Sequence, residues 1–432
     1  MIEFAPILVL VLSFICLLMI GTPVAWSITI SSLLTILVSI PAIPAFTTIA
    51  QRMGTGLDSF ALLAIPLFVL SGELMNKGGI AHRLIAFAKT LVGSMPGGLA
   101  LINVFSSMLM GAIAGSAMAS ASAMGSILGP EMEKEGYSKE FGAAVNITSA
   151  TTGLIIPPSN VLIVYSLASG GVSIAALFLA GYIPGIMTGL FLMIVASFWA
   201  KKKGYKVGKR SSLKEVFKTL VDALPSLFML VVVIGGIVTG IFTATEASAI
   251  AVLYSLILGF IYKEISIPKL PKILLDSAGT TAIVMLLIAA SMSMSWALSY
   301  EHIPQDISSA LLNISDNKII ILLIINLLLL FVGIFMDMTP AVLIFTPIFL
   351  PVVTKLGLDP VHFGIIMVLN LCIGLCTPPV GSVLFVGVGI AKTSIEKVIK
   401  PLLPLFLAML LALFLVTYFP QLSLWLPSLF DL

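Results

Sequence analysis

Two short stretches of the sequence match each other: Gly153-Leu-Ile-Ile-Pro157-Pro158-Ser159-Asn160 and Gly374-Leu-Cys-Thr-Pro378-Pro379-Val380-Gly381, which begin 221 residues apart. Each stands inside a long apolar segment. Proline lacks a backbone N–H and disfavours helix at the residue before it. The two stretches therefore predict unwound breaks inside otherwise helical segments.

The apolar surroundings identify the medium in which those helices lie. Hydrophobic residues make up 59% of the 432 residues and charged residues only 9%, whereas a soluble domain carries roughly 25% charged residues. Runs such as Ile7–Ile20, Ile28–Ile40 and Ile186–Ala200 have the composition of membrane spans. The sequence predicts an all-α polytopic membrane protein. Unwound backbone inside a membrane is tolerated where it lines a cavity or is buried in protein.

Basic residues indicate the orientation of the chain. Eight fall within residues 201–218, namely Lys201, Lys202, Lys203, Lys206, Lys209, Arg210, Lys214 and Lys218. The positive-inside rule makes 201–218 a cytoplasmic loop, and nucleic-acid binding is the disfavoured alternative. Threading outward from this loop places 19 of the 22 basic residues inside and both termini outside. A multi-pass membrane protein is expected.

The matches extend to a repeat of residues 1–200 in residues 219–432. At the same offset, Pro130 matches Pro351 and Ser116 falls opposite Asp337. Each half is predicted to hold five spans and one re-entrant hairpin, and the odd number of spans inverts the second half. The predicted hairpins cover about 99–132 and 319–351, the predicted broken helices about 140–168 and 361–391, and the predicted last span about 401–428. Inverted repeats with broken helices are typical of secondary transporters that bind substrate and ions near the midplane.

Each predicted hairpin has a polar tip. Ser116 lies in a run of small residues from Gly111 to Ser126, which supplies hydroxyl and carbonyl oxygens for a cation but also suits close helix packing. Asp337 precedes Thr339-Pro340, and an acidic residue within a membrane indicates function by default. The alternative for Asp337 is a structural hydrogen bond to a helix end.

These features predict two sodium sites and one solute site. The first sodium site combines Ser116 with the Gly153–Pro157 break, and the second combines Asp337 and Thr339 with Gly374 and Thr377. Because no Arg or Lys falls at the predicted midplane, hydroxyls, amides and helix N-termini are expected to hold a solute carboxylate. The predicted solute contacts are Ser116, Ser120, Ser122, Thr148, Ser159 and Asn160.

Several segments together resemble the large membrane subunit of tripartite ATP-independent periplasmic (TRAP) transporters. They are Leu57–Phe68 with Gly72-Glu73, Gly125–Leu128, Asp337 with Thr346–Pro351, and Asp359–Gly364 continuing to Thr377–Gly381. The resemblance covers essentially the whole chain. It implies a scaffold with an elevator-type transport domain, a small four-helix membrane subunit and a periplasmic binding protein as partners. The stretch Asn146–Asn160 looks most like the sialic-acid branch, and C4-dicarboxylates or other organic acids are the alternative solutes. Many family members carry an acidic residue where this chain has Ser120, which puts a carried-over contact there in doubt.

Two other functional classes, an intramembrane enzyme and a passive channel, would require different features of the sequence. An intramembrane enzyme would need a Ser–His, Asp–Asp or metal constellation near one membrane face, and a passive channel would need no coupling ion. An enzyme does not explain the repeat, and the sequence offers no convincing placement for such a constellation, so the chain is not expected to be an enzyme. Cys372 and Cys376 are read as small buried residues and not as a metal pair. Sodium is the one expected ion, membrane lipids surround the chain, and neither an ATPase nor nucleic acid is expected as a partner.

Overall fold

The computed structural model describes residues 4–208, 210–315 and 317–432, and this part of the chain is built from α-helices with no β-strand. The twenty helices are α1 Phe4–Met19, α2 Val24–Ser39, α3 Ala42–Thr55, α4 Ala64–Lys77, α5 Ile80–Val92, α6 Gly98–Ala114, α7 Ala117–Lys134, α8 Lys139–Thr152, α9 Asn160–Ala168, α10 Ile174–Lys203, α11 Leu213–Val238, α12 Ala244–Ile261, α13 Leu270–Tyr300, α14 Ile303–Ile314, α15 Lys318–Phe335, α16 Met338–Lys355, α17 Pro360–Gly374, α18 Ser382–Ala391, α19 Ile395–Tyr418 and α20 Gln421–Ser428. Short 3₁₀ turns at Phe60–Leu63 and Ile267–Lys269 precede α4 and α13.

The helices fit a membrane. Eight helical segments of the described chain are long and apolar enough to cross a bilayer, and shorter apolar helices accompany them. Large apolar side chains such as Phe228, Leu253 and Leu327 are more than half exposed on the outside of the molecule. In water this surface would be unfavourable, whereas lipid tails accept it. The prediction of an all-α polytopic membrane protein is confirmed.

Helix pairs joined by short turns lie at both predicted hairpin positions and extend slightly beyond the expected bounds, while their re-entrant path in the membrane stays a prediction. The first comprises α6 and α7 and turns at Gly115-Ser116, where Gly115 adopts a positive φ of 60°. The second comprises α15 and α16 and turns at Met336-Asp337. Both predicted broken helices are also present, as α8 and α9 around residues 153–159 and as α17 and α18 around residues 375–381.

Three boundaries differ from the expected ones. Helix α10 continues through Lys203 and α11 begins at Leu213, so the basic segment 201–218 is helical at both ends, and residues 204–212 connect the two helices. Lys209 lies outside the described residues. The amphipathic helices α3 and α5 were not predicted, because their apolar residues lie on one face and give too low a mean hydropathy for a span. The predicted last span, 401–428, is interrupted near Pro420 and divides into α19 and α20.

The order of helices repeats along the chain. Helices α7 and α16 are each 18 residues long and begin 221 residues apart, and α10 and α19 begin at Ile174 and Ile395, the same spacing. Thr151 and Cys372, which correspond at this offset, meet each other, since the Cys372 Sγ donates to the Thr151 carbonyl at 3.3 Å. Corresponding residues of two related copies meet where a two-fold axis passes between them. This contact supports the internal repeat. The inverted orientation of the second half in the membrane stays a prediction.

The hairpins and broken helices surround a buried centre. Every residue of α17 from His362 to Gly374 is buried, and α8 is buried from Ala143 to Thr152. Around this centre, α4 packs against α12 and α2 packs against α13. The long helix α13 also contacts α4 and the second hairpin through α16. The arrangement places both hairpin tips opposite α4 and α13.

Helix α10 packs closely on the first break through Gly181 and Gly185, and on Met108 of α6 through Gly189. A Cβ built on Gly181 would lie 2.3 Å from the Ile155 carbonyl oxygen, and one on Gly185 would lie 2.5 Å from the Ile156 side chain. Small residues at a helix interface let two backbones approach closely, and these contacts are of that kind.

Replacing Gly181 by alanine is expected to destabilise the protein by about 1–3 kcal/mol, as overpacking does elsewhere. The new methyl group meets backbone and not a flexible side chain, so the break itself must move. Thermal unfolding of the detergent-solubilised protein measures the effect. Gly235→Ala in α11 is the control, because nothing lies within 4 Å of its built Cβ. Equal melting temperatures for the two variants would contradict the prediction.

Candidate functional site

A cavity of about 390 Å³ lies where the two hairpin tips face the surrounding helices. The first tip contributes Gly115 to Ala119 and the second contributes Asp337 to Thr339. The broken helices contribute residues on either side of their breaks, namely Leu154, Asn160, Val161, Leu375, Ser382 and Val383. Helices α4 and α13 form the opposite wall. We call this space the central cavity.

The first tip is built around Ser116. This residue caps α7, and its Oγ accepts a hydrogen bond from the Ala119 N–H at 3.3 Å. Asn160, at the start of α9, lies against the same turn, because a Cβ built on Gly115 would come within 2.6 Å of the Asn160 Nδ2. The positive φ of Gly115 and this close approach both require a residue without a side chain. The tip therefore brings a hydroxyl and an amide to one wall of the cavity.

The first break is held by backbone contact. Gly111 of α6 and Gly153 touch, since a Cβ on Gly153 would lie 2.1 Å from the Gly111 Cα. Ser159 Oγ donates to the Leu154 carbonyl at 2.5 Å and closes the break from inside. Pro157 lies in the middle, in a cis peptide bond with Pro158. All residues from Gly153 to Ser159 are buried, so the break is fixed by protein on all sides.

The second tip differs because it carries a free carboxylate. Asp337 stands at the N-cap position of α16, yet its side chain makes no capping hydrogen bond. Asp359, at the N-cap position of α17, makes the kind of capping hydrogen bond that Asp337 lacks, since its Oδ1 accepts from the Val361 N–H at 2.7 Å. Asp337 forms no ion pair with any residue in the described ranges. Its carboxylate is exposed to the cavity.

The second break carries further oxygen atoms, and of its predicted sodium ligands neither Gly374 nor Thr377 is among the described residues that line the central cavity. Gly381 N–H donates to the Ile334 carbonyl at 3.0 Å, which ties the break to the second hairpin. The Thr377 hydroxyl donates to the Ile373 carbonyl at 2.7 Å and keeps its lone pairs for another partner. Gly374 lies against Gly333, with 2.6 Å from a built Cβ to the Gly333 Cα, as Gly153 lies against Gly111. Residues 377–380 are partly or fully exposed, unlike the first break.

The chemistry of these groups suits a hard cation. Carboxylate, hydroxyl and carbonyl oxygens are the ligands that hard cations prefer. The set contains no thiolate or imidazole, and no group of three or more His, Cys, Asp or Glu side chains occurs in the part of the chain that the structure describes. The helix N-termini at both tips offer backbone N–H groups to an anion in the same space.

The predicted solute contacts divide into two groups. Ser116 and Asn160 line the cavity. Ser159 precedes Asn160 in the chain and is buried. Thr148 is fully buried and donates to the Ala144 carbonyl of its own helix at 2.9 Å. Ser120 is buried, Ser122 is exposed, and neither is among the described cavity-lining residues. The structure therefore brings only part of the predicted set to the cavity.

Four polar residues among the described lining of the cavity were predicted neither as solute contacts nor as sodium ligands: Glu73, Asn76, Thr280 and Ser382. Glu73 also pairs with Lys77 at 3.5 Å, and Lys77 reaches Asp276 of α13 at 2.5 Å. In the sequence, Glu73 belongs to one of the segments that carry the family resemblance, but the direction of its side chain depends on how α4 packs. Ser382 follows the conspicuous Pro-Pro element by three residues and could have been found by extending that motif.

The comparisons with known proteins agree with this architecture. A family profile described as "Tripartite ATP-independent periplasmic transporter, DctM component" matches residues 11–422. The chain belongs to this family, the large permeases of TRAP transporters. The resemblance seen in the sequence is confirmed, and the chain is a multi-pass transport protein, consistent with the bacterial inner membrane.

Three relatives show the breadth of the TRAP family around this chain. The YgiK protein of Salmonella typhimurium strain LT2 is 58% identical over 425 residues, which covers 98% of each chain. A sialic acid TRAP transporter large permease of Vibrio cholerae is 41% identical and covers 88% of this chain and 89% of its own. A C4-dicarboxylate TRAP large permease of Rhodobacter capsulatus is 38% identical and covers 96% and 97%.

A solved membrane transporter shares the fold of this TRAP permease. The YdaH transporter of Alcanivorax borkumensis superimposes with a TM-score of 0.65 over 89% of this chain and 90% of its own, at 14% sequence identity. At this identity the likeness concerns the fold alone.

Proposed function

We propose that this TRAP permease imports a small carboxylated solute in symport with sodium. The observation that carries the proposal is Asp337, a carboxylate without a cap bond or described ion pair that faces the first hairpin tip across the central cavity. An uncompensated charge inside a membrane protein is costly. A sodium ion held by Asp337, Thr339 and the carbonyls near Gly374 and Thr377 would remove that cost.

A second sodium site is proposed at the first tip. Ser116 supplies a hydroxyl, and the buried break from Gly153 to Pro157 supplies carbonyl oxygens whose helical partners are lost. Unlike the second tip, this one has no carboxylate, so a cation here would rest on dipoles alone. Two such sites would bind two sodium ions, one at each hairpin tip.

The solute carboxylate is proposed to bind between the tips, at Ser116, Asn160 and the N-terminal end of α7. A sodium ion nearby adds positive potential and couples the two binding events. Glu73 and Asn76 lie across the same cavity. A carboxylate at Glu73 accepts hydrogen bonds from solute hydroxyls and repels a second acidic group. This supports a hydroxyl-rich monoacid such as sialic acid over a C4-dicarboxylate, although relatives named for both are similar to this chain.

The partners proposed are a small membrane subunit and a periplasmic binding protein, as the family resemblance implies. The frame of α2, α4, α12 and α13 is proposed as the scaffold, and the hairpins with their broken helices as an elevator-type transport domain. The exposed apolar side chains on the outside of the molecule suit contact with lipid or with another membrane subunit.

Sodium is expected to tighten solute binding, and solute is expected to tighten sodium binding by the same factor. A coupling of roughly 5- to 150-fold is typical of linked sites. Titration of sialic acid and of a C4-dicarboxylate with the purified permease at several sodium concentrations measures it. Solute affinities that do not respond to sodium would mean that the two sites are uncoupled, and the symport mechanism would have to be abandoned.

A further inference from the structure

A second cavity, of about 360 Å³, lies at the other end of the first hairpin. It is lined by the last part of α7, the first part of α8, the end of α18 and Asn103 of α6. We call it the base crevice. Gly129 of this crevice lies about 20 Å along α7 from Ser116, at 1.5 Å per residue. The base crevice is therefore separate from the central cavity.

The first half of the chain leaves this space open where the second half fills it. The first-half residues that form the floor and walls are Gly129, Gly142 and Asn146, and the residues at the 221-residue offset are Leu350, Phe363 and Met367. Phe363 and Met367 are fully buried, and Thr346 donates to the Met367 Sδ at 3.3 Å. Gly125 stands opposite Thr346 at the same offset. The crevice is thus a departure of one half from its counterpart and not a general packing defect of the fold.

Two asparagine side chains, Asn103 and Asn146, line the crevice. Asn103 uses its Oδ1 to accept from Ser149 Oγ at 3.0 Å, so its NH₂ group remains a donor. Asn146 donates its Nδ2 to the Ala121 carbonyl at 2.8 Å. The Asn146 side chain is 3% exposed and its Oδ1 has no hydrogen-bond partner among the described residues. A buried acceptor left without a partner costs roughly 1–3 kcal/mol, which a ligand hydroxyl or N–H would offset.

The mouth of the crevice carries positive charge. Lys139 pairs with Glu133 at 3.4 Å, and both line the opening. Lys392, which also lines it, forms no ion pair with any residue in the described part of the chain. These three side chains therefore give the mouth one net positive charge, and a positively charged cleft attracts anions.

We propose that the base crevice binds a small hydroxylated organic acid. The acid's carboxylate lies at Lys392 and its hydroxyl donates to the Asn146 Oδ1. A volume near 360 Å³ is at the low end for ligand pockets, which suits a small metabolite. Such a ligand bridges α7 and α18 and ties the first hairpin to the second broken helix. The inference does not use the proposed sodium coupling, because no residue of the two sodium sites lines this crevice.

Calorimetric titration of D-gluconate into the purified full-length protein in sodium-free buffer tests the proposal. Saturable binding is expected, and Gly129→Leu, which places the counterpart side chain in the crevice, is expected to weaken it roughly tenfold or more. Lys392→Gln is expected to weaken it comparably. Gly279→Leu on α13 is the matched control, because both glycines have nothing within 4 Å of a built Cβ, and it should bind like the unaltered protein.

Four outcomes would overturn the assignment. Absence of saturable gluconate binding would do so, as would equal binding by Gly129→Leu and the unaltered protein. Inorganic phosphate binding as tightly as gluconate would show a plain anion site, and glycerol 3-phosphate displacing gluconate at lower concentration would point to a lipid headgroup. Asn160→Ala, which removes a proposed solute contact of the central cavity, separates this proposal from the transport mechanism. This variant should bind gluconate like the unaltered protein. If it loses gluconate binding while Gly129→Leu keeps it, the acid binds in the central cavity.

Discussion

Replacing Asp337 by asparagine is expected to remove most of the sodium activation of transport while leaving the protein folded. Asparagine has nearly the same shape, and Asp337 makes no capping bond that the change would break. The substitution removes the charge that a cation would neutralise. A charge-assisted contact is roughly twice as strong as a neutral one, so the sodium concentration for half-maximal uptake should rise by about tenfold or more. Uptake of labelled solute into proteoliposomes at graded sodium concentrations measures this.

The matched control is Asp359→Asn. Asp359 caps α17 through the Val361 N–H, and asparagine is also a good cap, so stability and sodium activation should both stay close to those of the unaltered protein. If Asp337→Asn shows the sodium activation of the unaltered protein, the carboxylate does not serve as a sodium ligand. Melting temperatures of both variants establish that neither result comes from misfolding.

Replacing Gly153 by alanine is expected to reduce transport by about tenfold to a hundredfold. Gly153 has an ordinary helical backbone conformation, with φ −71° and ψ −14°, so alanine is not strained by its own backbone. The loss would come entirely from the added methyl group, which would lie 2.1 Å from the Gly111 Cα. The first hairpin and the first break must then separate, and displacements of about 1 Å can cost two orders of magnitude where geometry is critical.

The second half provides a graded control for this prediction. A Cβ on Gly374 would lie 2.6 Å from the Gly333 Cα, and one on Gly333 would lie 3.0 Å from the Gly374 Cα. The expected order of transport loss is therefore Gly153→Ala first, Gly374→Ala second and Gly333→Ala last. Initial uptake rates normalised to protein in the membrane measure the order. A reversed order would show that close backbone approach is not what these glycines provide.

The hairpins and breaks could be predicted from the sequence because their signals are local. The Pro-Pro elements after Gly153 and Gly374 exclude a continuous helix by covalent geometry. The small-residue run around Ser116 and the isolated Asp337 mark the tips, and the structure places the two turns there. The amphipathic α3 and α5 were missed, because a span is recognised by continuous hydropathy and an amphipathic helix lacks it.

The direction of each polar side chain could not be predicted in the same way. Thr148 and Asn146 belong to one polar run, yet Thr148 bonds within its own helix while Asn146 lines the base crevice. Ser120 lies four residues beyond Ser116 but is buried away from the cavity. Which side of a helix faces a cavity is decided by packing against distant helices. Glu73 and Thr280 enter the central cavity for the same reason, from elements far away in the chain.

The meeting of Thr151 with Cys372 has an evolutionary consequence. If the two halves descend from one ancestral gene, its product would have formed a homodimer with the same side chain on both sides of this contact. In such a dimer any substitution acts twice, and a crevice opened in one copy opens in the other. Joining the copies in one polypeptide frees each to specialise. One half could then keep Gly129 and Asn146 while the other acquired Leu350 and Met367, and one tip could carry Asp337 while the other carries Ser116.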